Sequence, residues 1–161
     1  MADPTGGPPP PRDHGPGVKV PPPVWFLLCV GAAWGLHRLL PFTIAPAFVE
    51  FGIAVMLLGL GLILAALVVM LVARTDPRPH TADQTLVTHG PFRVSRNPIY
   101  LGLLVIAAGI ALTSGSVWAW LAVAALFGLL DRLVIAKEET YLLRRFGKDY
   151  ADYAARVRRW M

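Results

Sequence analysis

Residues 97–130 read NPIYLGLLVIAAGIALTSGSVWAWLAVAALFGLL, thirty-four positions without a charged side chain. As one straight helix this stretch would be ~51 Å long, whereas the hydrocarbon core of a bilayer is about 30 Å thick. A break is required, and the turn-type cluster Thr113-Ser114-Gly115-Ser116 supplies it. The expected unit is a tight helical hairpin with arms at about 98–112 and 117–136, the second arm running past Asp131 and Arg132 towards water.

Two further apolar runs lie upstream. Phe51 to Ala73 holds twenty-three residues without a charge, roughly 34 Å of helix and enough to span. Val24 to Leu40 is shorter, at seventeen residues, and places Trp25 and Trp34 near its two ends, where interfacial aromatics are common. The whole chain of 161 residues is 55% hydrophobic and 16% charged, with a mean hydropathy of +0.55. A water-soluble domain carries about 25% charged residues, so an ordinary soluble domain is excluded. The expected fold is all-α: a multi-pass transmembrane helical bundle of about four spans with a C-terminal amphipathic cytoplasmic helix. A single cysteine, Cys29, excludes a disulfide framework and any zinc site built on several thiolates.

Residues 1–23 hold nine of the fifteen prolines and too little apolar mass to offset their ordering entropy, so they read as a disordered tail ahead of a single domain at 24–161. With four spans, fourteen of the fifteen lysines and arginines fall on one side and only Arg38 on the other. The positive-inside rule then predicts a multi-pass protein of the cell membrane with both termini and the 74–97 loop in the cytoplasm. The pI near 9.9 thereby reads as a topology signal, and no nucleic-acid partner is expected. After the last span, Leu142, Leu143, Phe146, Tyr150, Tyr153, Val157 and Trp160 recur at helical spacing over about 137–157 and just beyond, with Gly147 as a bend. The basic, aromatic end Arg156, Arg158, Arg159 and Trp160 suits an anionic bilayer surface, as an anchor or as a lid over a membrane site.

Chemistry open to a soluble cofactor is confined to the loop 74–97 and the segment 131–153. Asn97 before Pro98 is a helix start, with a favoured N-cap followed by a favoured first residue. Such a start can hold an anion, and Arg93 and Arg96 strengthen the positive field. Capping and membrane anchoring account for the same residues. Glu138 and Glu139 form a carboxylate pair at the membrane boundary, and Arg132 lies seven residues before Glu139, hence on one face of a regular helix. An anion-holding helix start, the aromatics Phe92 and Tyr100, and two carboxylates together suit a ligand with a carboxylate, an ammonium and a flat ring. S-adenosyl-L-methionine has all three. His14, His37, His80 and His89 are scattered without metal-ligand spacing, so no metal is expected.

The stretch from Thr85 to Gly102, with Gly90-Pro91-Phe92 and Arg96-Asn97-Pro98-Ile99-Tyr100 inside it, resembles the signature of the isoprenylcysteine carboxyl methyltransferase and phospholipid methyltransferase superfamily. So does Glu138-Glu139 followed by Phe146-Gly147-Lys148-Asp149-Tyr150 and Tyr153. The resemblance implies an integral membrane methyltransferase that uses S-adenosyl-L-methionine on a lipid or lipid-modified substrate. It implies cofactor contacts at Gln84, Thr85, Leu86, Val87, Phe92, Arg96, Asn97, Pro98, Ile99, Tyr100 and Glu138. Glu139 is the neighbouring candidate, and Arg132 matches a basic residue near the substrate; an amine acceptor would have to lose a proton, to Glu139 or to water. Asn97 stands where many relatives have histidine, and Phe92 where many have tyrosine. Two other readings share parts of this pattern: a membrane reductase using NADPH, and a non-catalytic accessory protein. Gly31 and Gly35, together with Gly59, Gly61, Gly102 and Gly109, are read as points where helices touch, and Cys29 as a small buried apolar residue.

Overall fold

A computed structural model describes residues 16–44, 46–73 and 86–161. Most of the expected tail, His14, His80, Gln84 and Thr85 lie outside the described residues. Helix α1 spans Pro22–Leu39, α2 Val49–Val72, α3 Pro98–Ser114, α4 Val117–Leu129, α5 Ala136–Phe146 and α6 Lys148–Arg156. A single 3-10 turn occupies Gly90–Arg93, and α4 runs into α5 through a π-helical stretch at Leu130–Ile135. No strand occurs among the described residues, where Thr43 and Ser116 make one isolated bridge.

Among the described residues two helices are long and apolar enough to cross a membrane: α2, with 24 residues, and the continuous rod Val117–Phe146, with 30. Helix α3 is also apolar but shorter, at 17 residues. The surfaces of these helices are not those of a water-soluble bundle. Leu57, Leu58, Leu64, Val68, Leu71 and Val72 on α2 are all more than half exposed, a contiguous apolar face that only lipid or another protein can cover.

Helix α3 is the centre of the bundle, with α2 on one side and α4 and α1 on the other. The break between α3 and α4 falls where the turn cluster requires it. Gly115 takes the left-handed conformation that ends a helix (φ 59°) and Ser116 precedes α4. The link from α1 to α2 is laced onto this turn, with Ile44 N–H donating to Gly115 O at 3.0 Å and Val117 N–H to Phe42 O at 3.1 Å.

Helices α2 and α3 run antiparallel and touch backbone to backbone. The buried residues of α2 are Gly52, Gly59 and Ala66, seven apart. A Cβ placed on Gly59 would lie 2.7 Å from the Gly102 carbonyl oxygen, and one on Gly109 would lie 2.6 Å from the Gly52 carbonyl oxygen. No Cβ sits that close to a carbonyl, so these two glycine pairs set the helix separation. Gly52, which the sequence pattern does not single out, completes the seam. Gly31, Gly35 and Gly61 take no part: a Cβ on any of them would meet nothing within 4 Å, because they lie off the seam.

The inner core joins Ala107, Leu126, Leu130 and Val134 to Val18, which is only 2% exposed. Val18 belongs to the stretch read as tail. Two valines, Val18 and Val20, among prolines and glycines carry no helical periodicity, but Val18 packs against Ala107, Leu126, Leu130 and Val134.

Candidate functional site

The loop entering α3 is shaped by backbone constraints. Gly90 sits at φ 61°, and a Cβ there would lie 2.9 Å from Val69 Cγ2, so glycine is needed both for the turn and for its seat against α2. The 3-10 turn Gly90–Arg93 follows, then Ser95, which is buried at 1% exposure, and Asn97 ahead of α3. Asn97 occupies the N-cap position expected of it, but its side chain makes no capping bond. It donates from Nδ2 to the carbonyl oxygen of Arg159 at 3.0 Å, and its own backbone N–H donates to Ser95 Oγ at 3.1 Å.

That bond to Arg159 is one of several that draw the C-terminal segment over the start of α3. Ser95 Oγ donates to Arg159 O at 3.1 Å, and Arg96 N–H donates to Arg158 O at 3.1 Å. The Arg159 guanidinium then spans two carboxylates, Asp131 through Nη1 at 3.0 Å and Glu139 through Nε at 3.1 Å and Nη2. Its hydrogen bonds to Glu139 and Asp131 raise its pKa further above the usual arginine range, burial opposing them. Trp160 donates from Nε1 to Asp131 Oδ1 at 3.1 Å and stacks at 5.0 Å on Phe127. The basic, aromatic end read as an anchor or as a lid over a membrane site is, at Arg159 and Trp160, turned inward over the start of α3.

Glu139 also receives Arg96, whose Nη2 lies 3.1 Å from Oε1. Arg96 Nη1 donates to the Tyr150 hydroxyl at 3.4 Å, while its Nε is buried without a partner among the described residues. One residue before Glu139, Glu138 accepts a hydrogen bond from the Tyr100 hydroxyl at 2.5 Å, the length of a charge-assisted O–H···O bond. Phe92 is half-buried, and its carbonyl accepts from Tyr153 Oη at 2.7 Å.

The structure therefore brings Phe92, Arg96, Asn97, Pro98, Tyr100, Glu138 and Glu139 to one end of the bundle. Leu86 and Ile99 are half-buried, Val87 and Pro98 buried. Arg132 is not brought in: it is exposed. The reason is the π stretch Leu130–Ile135, which inserts one residue into the helical repeat. A seven-residue step along a regular helix becomes eight across it, so the residue that shares Glu139's face is Asp131. Arg159 and Asp131 are site-lining residues that spacing alone did not single out; Tyr150, named for its helical spacing and in the superfamily motif, joins them. The available signal was a large aromatic and an arginine placed just after the last amphipathic turn, which also fits a membrane anchor.

The tyrosines of α6 give a pH prediction. Tyr153 is buried, and its phenol is pushed up to about 12, first by burial and then by neighbouring Tyr150, against the pull of Arg96. Burial, helped by Glu139, raises Tyr150 as well. Above the free phenol value of 10 the unfolded chain ionises while the folded one keeps its protons. Stability should accordingly hold up to that value and fall as pH rises from there to about 12. Tyr153→Phe should flatten this fall, leaving the smaller Tyr150 contribution, in urea unfolding followed across alkaline pH.

The family model for phospholipid methyltransferases matches residues 47–149. An uncharacterised protein of Haemophilus influenzae is 41% identical over 63 residues, 39% of this chain and the whole of that protein. Probable protein-S-isoprenylcysteine O-methyltransferases of Oryza sativa, subspecies indica and japonica, are 33% identical over 81 residues. That match covers 50% of this chain and 42% of each rice protein, so the chain spans less than half their length. No solved structure matches. The matched span runs from the start of α2 into α6 and takes in the Arg96–Tyr100 helix start and both glutamates. The chain belongs to the phospholipid methyltransferase family.

Proposed function

We propose that the chain is an integral membrane methyltransferase that uses S-adenosyl-L-methionine on a lipophilic acceptor, isoprenylcysteine carboxylate-like or phospholipid-like, at the cytoplasmic membrane face. The observation that carries this reading is the unpartnered, buried Arg96 Nε beside the Tyr100–Glu138 pair. A buried guanidinium N–H left without an acceptor is costly, and a ligand carboxylate would satisfy it. Glu138 can trade its tyrosine for a ribose hydroxyl or an ammonium, and Phe92 offers a flat apolar face. The donor set thus fits the cofactor, which when bound supplies an already activated methyl group. The protein's part is alignment and exclusion of water.

The spans of this reading are α1, α2, α3 and α4 with its π extension, and both termini and the 74–97 loop lie in the cytoplasm; what supports this is that Arg38 alone among the described basic residues falls at the far end. Glu139 has both oxygens engaged by Arg96 and Arg159, which makes it a positioning residue and leaves an amine acceptor's proton to water. Arg132, exposed at the membrane boundary, is left to meet the acceptor's headgroup.

Calorimetric titration of the detergent-purified chain tests the reading. S-adenosylhomocysteine is expected to bind and NADPH not to. Binding of NADPH alone favours a reductase, and binding of neither an accessory protein. Glu138→Ala should weaken S-adenosylhomocysteine by about tenfold or more, the worth of a hydrogen bond to a charged group, with the thermal midpoint close to that of Tyr100→Phe. Unchanged affinity removes Glu138 from the site. Transfer of labelled methyl to a total membrane lipid extract, with chromatography of the product, then identifies the acceptor.

A further inference from the structure

A second surface lies on the side of α5 turned away from Glu138 and Glu139. Along the rod that carries α4 into α5, exposed positions recur at 132–133, 136–137, 140 and 143–145. They return once per helical turn and so form one continuous face. Arg132, Lys137 and Arg144 stand on it, interleaved with Leu133 at 40% and Leu143 at 51% exposure. The acidic residues of the rod are not on it. Asp131 and Glu139 are turned inward onto Arg159 and Arg96, and Glu138 accepts from Tyr100. The charges are thus sorted by side, carboxylates inward and cations outward. Arg132, Lys137 and Arg144 make no ion pair among the described residues, so their field is open to an external anion. Helix α6 differs: its exposed Lys148 and Arg156 share the helix with exposed Asp149 and Asp152.

The length of the rod says what meets this face. Val117–Phe146 has 30 residues, and a hydrocarbon core of about 30 Å takes about twenty of them. Counted from Val117, the core ends near Ala136. Arg132 then lies about one turn inside that edge, where its apolar stem can carry the guanidinium out to the headgroups. Lys137 stands at the edge, and Arg144 two turns beyond it, on the water side. Upstream the rod exposes Leu121 and Phe127, so the face continues a surface suited to acyl chains. Cations at headgroup level below an apolar surface are complementary to a lipid that joins a negative headgroup to a hydrocarbon tail.

We propose that this face binds anionic phospholipids of the adjacent leaflet, their phosphates at Arg132, Lys137 and Arg144 and the start of their acyl chains against Leu133. The inference rests on the rod crossing a membrane and not on methyl transfer, and it names the headgroup chemistry that Arg132 meets.

The test uses the full chain in nanodiscs of equal parts phosphatidylglycerol and phosphatidylcholine with matched acyl chains. Native mass spectrometry then counts the lipids that stay bound on release. Each basic group beside an anionic headgroup favours it by about fivefold. With three such groups, phosphatidylglycerol should be retained at least about tenfold over phosphatidylcholine. Lys137→Gln combined with Arg144→Gln should reduce the preference to about fivefold or less, the share of Arg132 alone. The same loss of charge on α6, Lys148→Gln with Arg156→Gln, should leave the preference in place. Equal retention of the two lipids by the unaltered chain overturns the proposal, and so does an equal loss in the two double variants. A dimer carrying neither lipid would assign the face to a second copy of the chain and overturn it as well. S-adenosylhomocysteine titration in the same nanodiscs keeps the two readings apart: absent binding with the lipid preference intact counts against methyl transfer alone.

Discussion

Replacing Arg159 by alanine is expected to cost about 2–3 kcal/mol of stability and to weaken S-adenosylhomocysteine binding at the proposed site with it. The argument is electrostatic. Asp131 and Glu139 converge on one guanidinium, with side chains 26% and 18% exposed, and without it two carboxylates face each other in a partly desolvated corner. Breaking a fully buried pair by removing one partner costs about 3–5 kcal/mol. Arg159 keeps 34% of its side chain in solvent, which screens the penalty and sets the lower figure. The loss should reach beyond the salt bridge, because Glu139 also holds Arg96 at 3.1 Å. A Glu139 released from one side would let Arg96 rotate away from Tyr150.

A double-mutant cycle separates these effects. Asp131→Asn removes one of the two charges that Arg159 neutralises, so Arg159→Ala should cost less in the Asp131→Asn background than alone. Arg159→Lys should restore part of the stability and little of the geometry, since an ammonium cannot bridge both carboxylates as a planar fork does. Cys29 makes the measurement convenient: it is the chain's one thiol and reports unfolding to a thiol-reactive dye. Equal losses in both backgrounds would show that Arg159 acts through backbone packing instead of through its charge.

What the sequence made legible follows from the range of the forces involved. The break at Gly115, the helix start at Asn97-Pro98 and the bend at Gly147 are local matters of backbone freedom, and each lies where its residues require. The meeting of Tyr100 with Glu138 was reachable from the paired motifs named for the superfamily resemblance. Three features were not reachable. The π stretch at Leu130–Ile135 leaves no signature in apolar residues, yet it changes which acidic residue shares a face with Glu139. Asn97 suits a capping bond by residue type, but the Arg159 carbonyl offers its amide a tertiary partner. The inward turn of Arg159 and Trp160 depends on Asp131 waiting across the bundle, and no window of sequence contains both.

Gly59→Leu is expected to be the most damaging single change in the apolar helices α2 and α3. At Gly59 an added Cβ would meet the Gly102 carbonyl oxygen at 2.7 Å, Ile106 Cγ1 at 2.9 Å and Ile106 N at 3.0 Å. Two of these are backbone atoms of α3, which cannot swing aside as a side chain can, so the helices themselves must part. Overpacking of this kind costs about 1–3 kcal/mol and sometimes more. The upper end applies here, because parting α2 from α3 also opens the neighbouring Gly52–Gly109 contact. Gly61→Ala, two residues away with nothing within 4 Å of its Cβ, should be neutral or stabilising by up to about 1 kcal/mol through helix propensity alone. The same displacement should reach the site. Gly102 lies two residues beyond Tyr100 on α3, so a helix pushed away from α2 at Gly102 carries the Tyr100 hydroxyl with it, away from or into Glu138. Gly59→Leu should thus lose S-adenosylhomocysteine affinity in step with its fall in unfolding midpoint, while Gly61→Ala changes neither. Should Gly61→Ala prove as harmful as Gly59→Leu, lipid contact along α2 and not the glycine seam with α3 would be what holds this half of the bundle together.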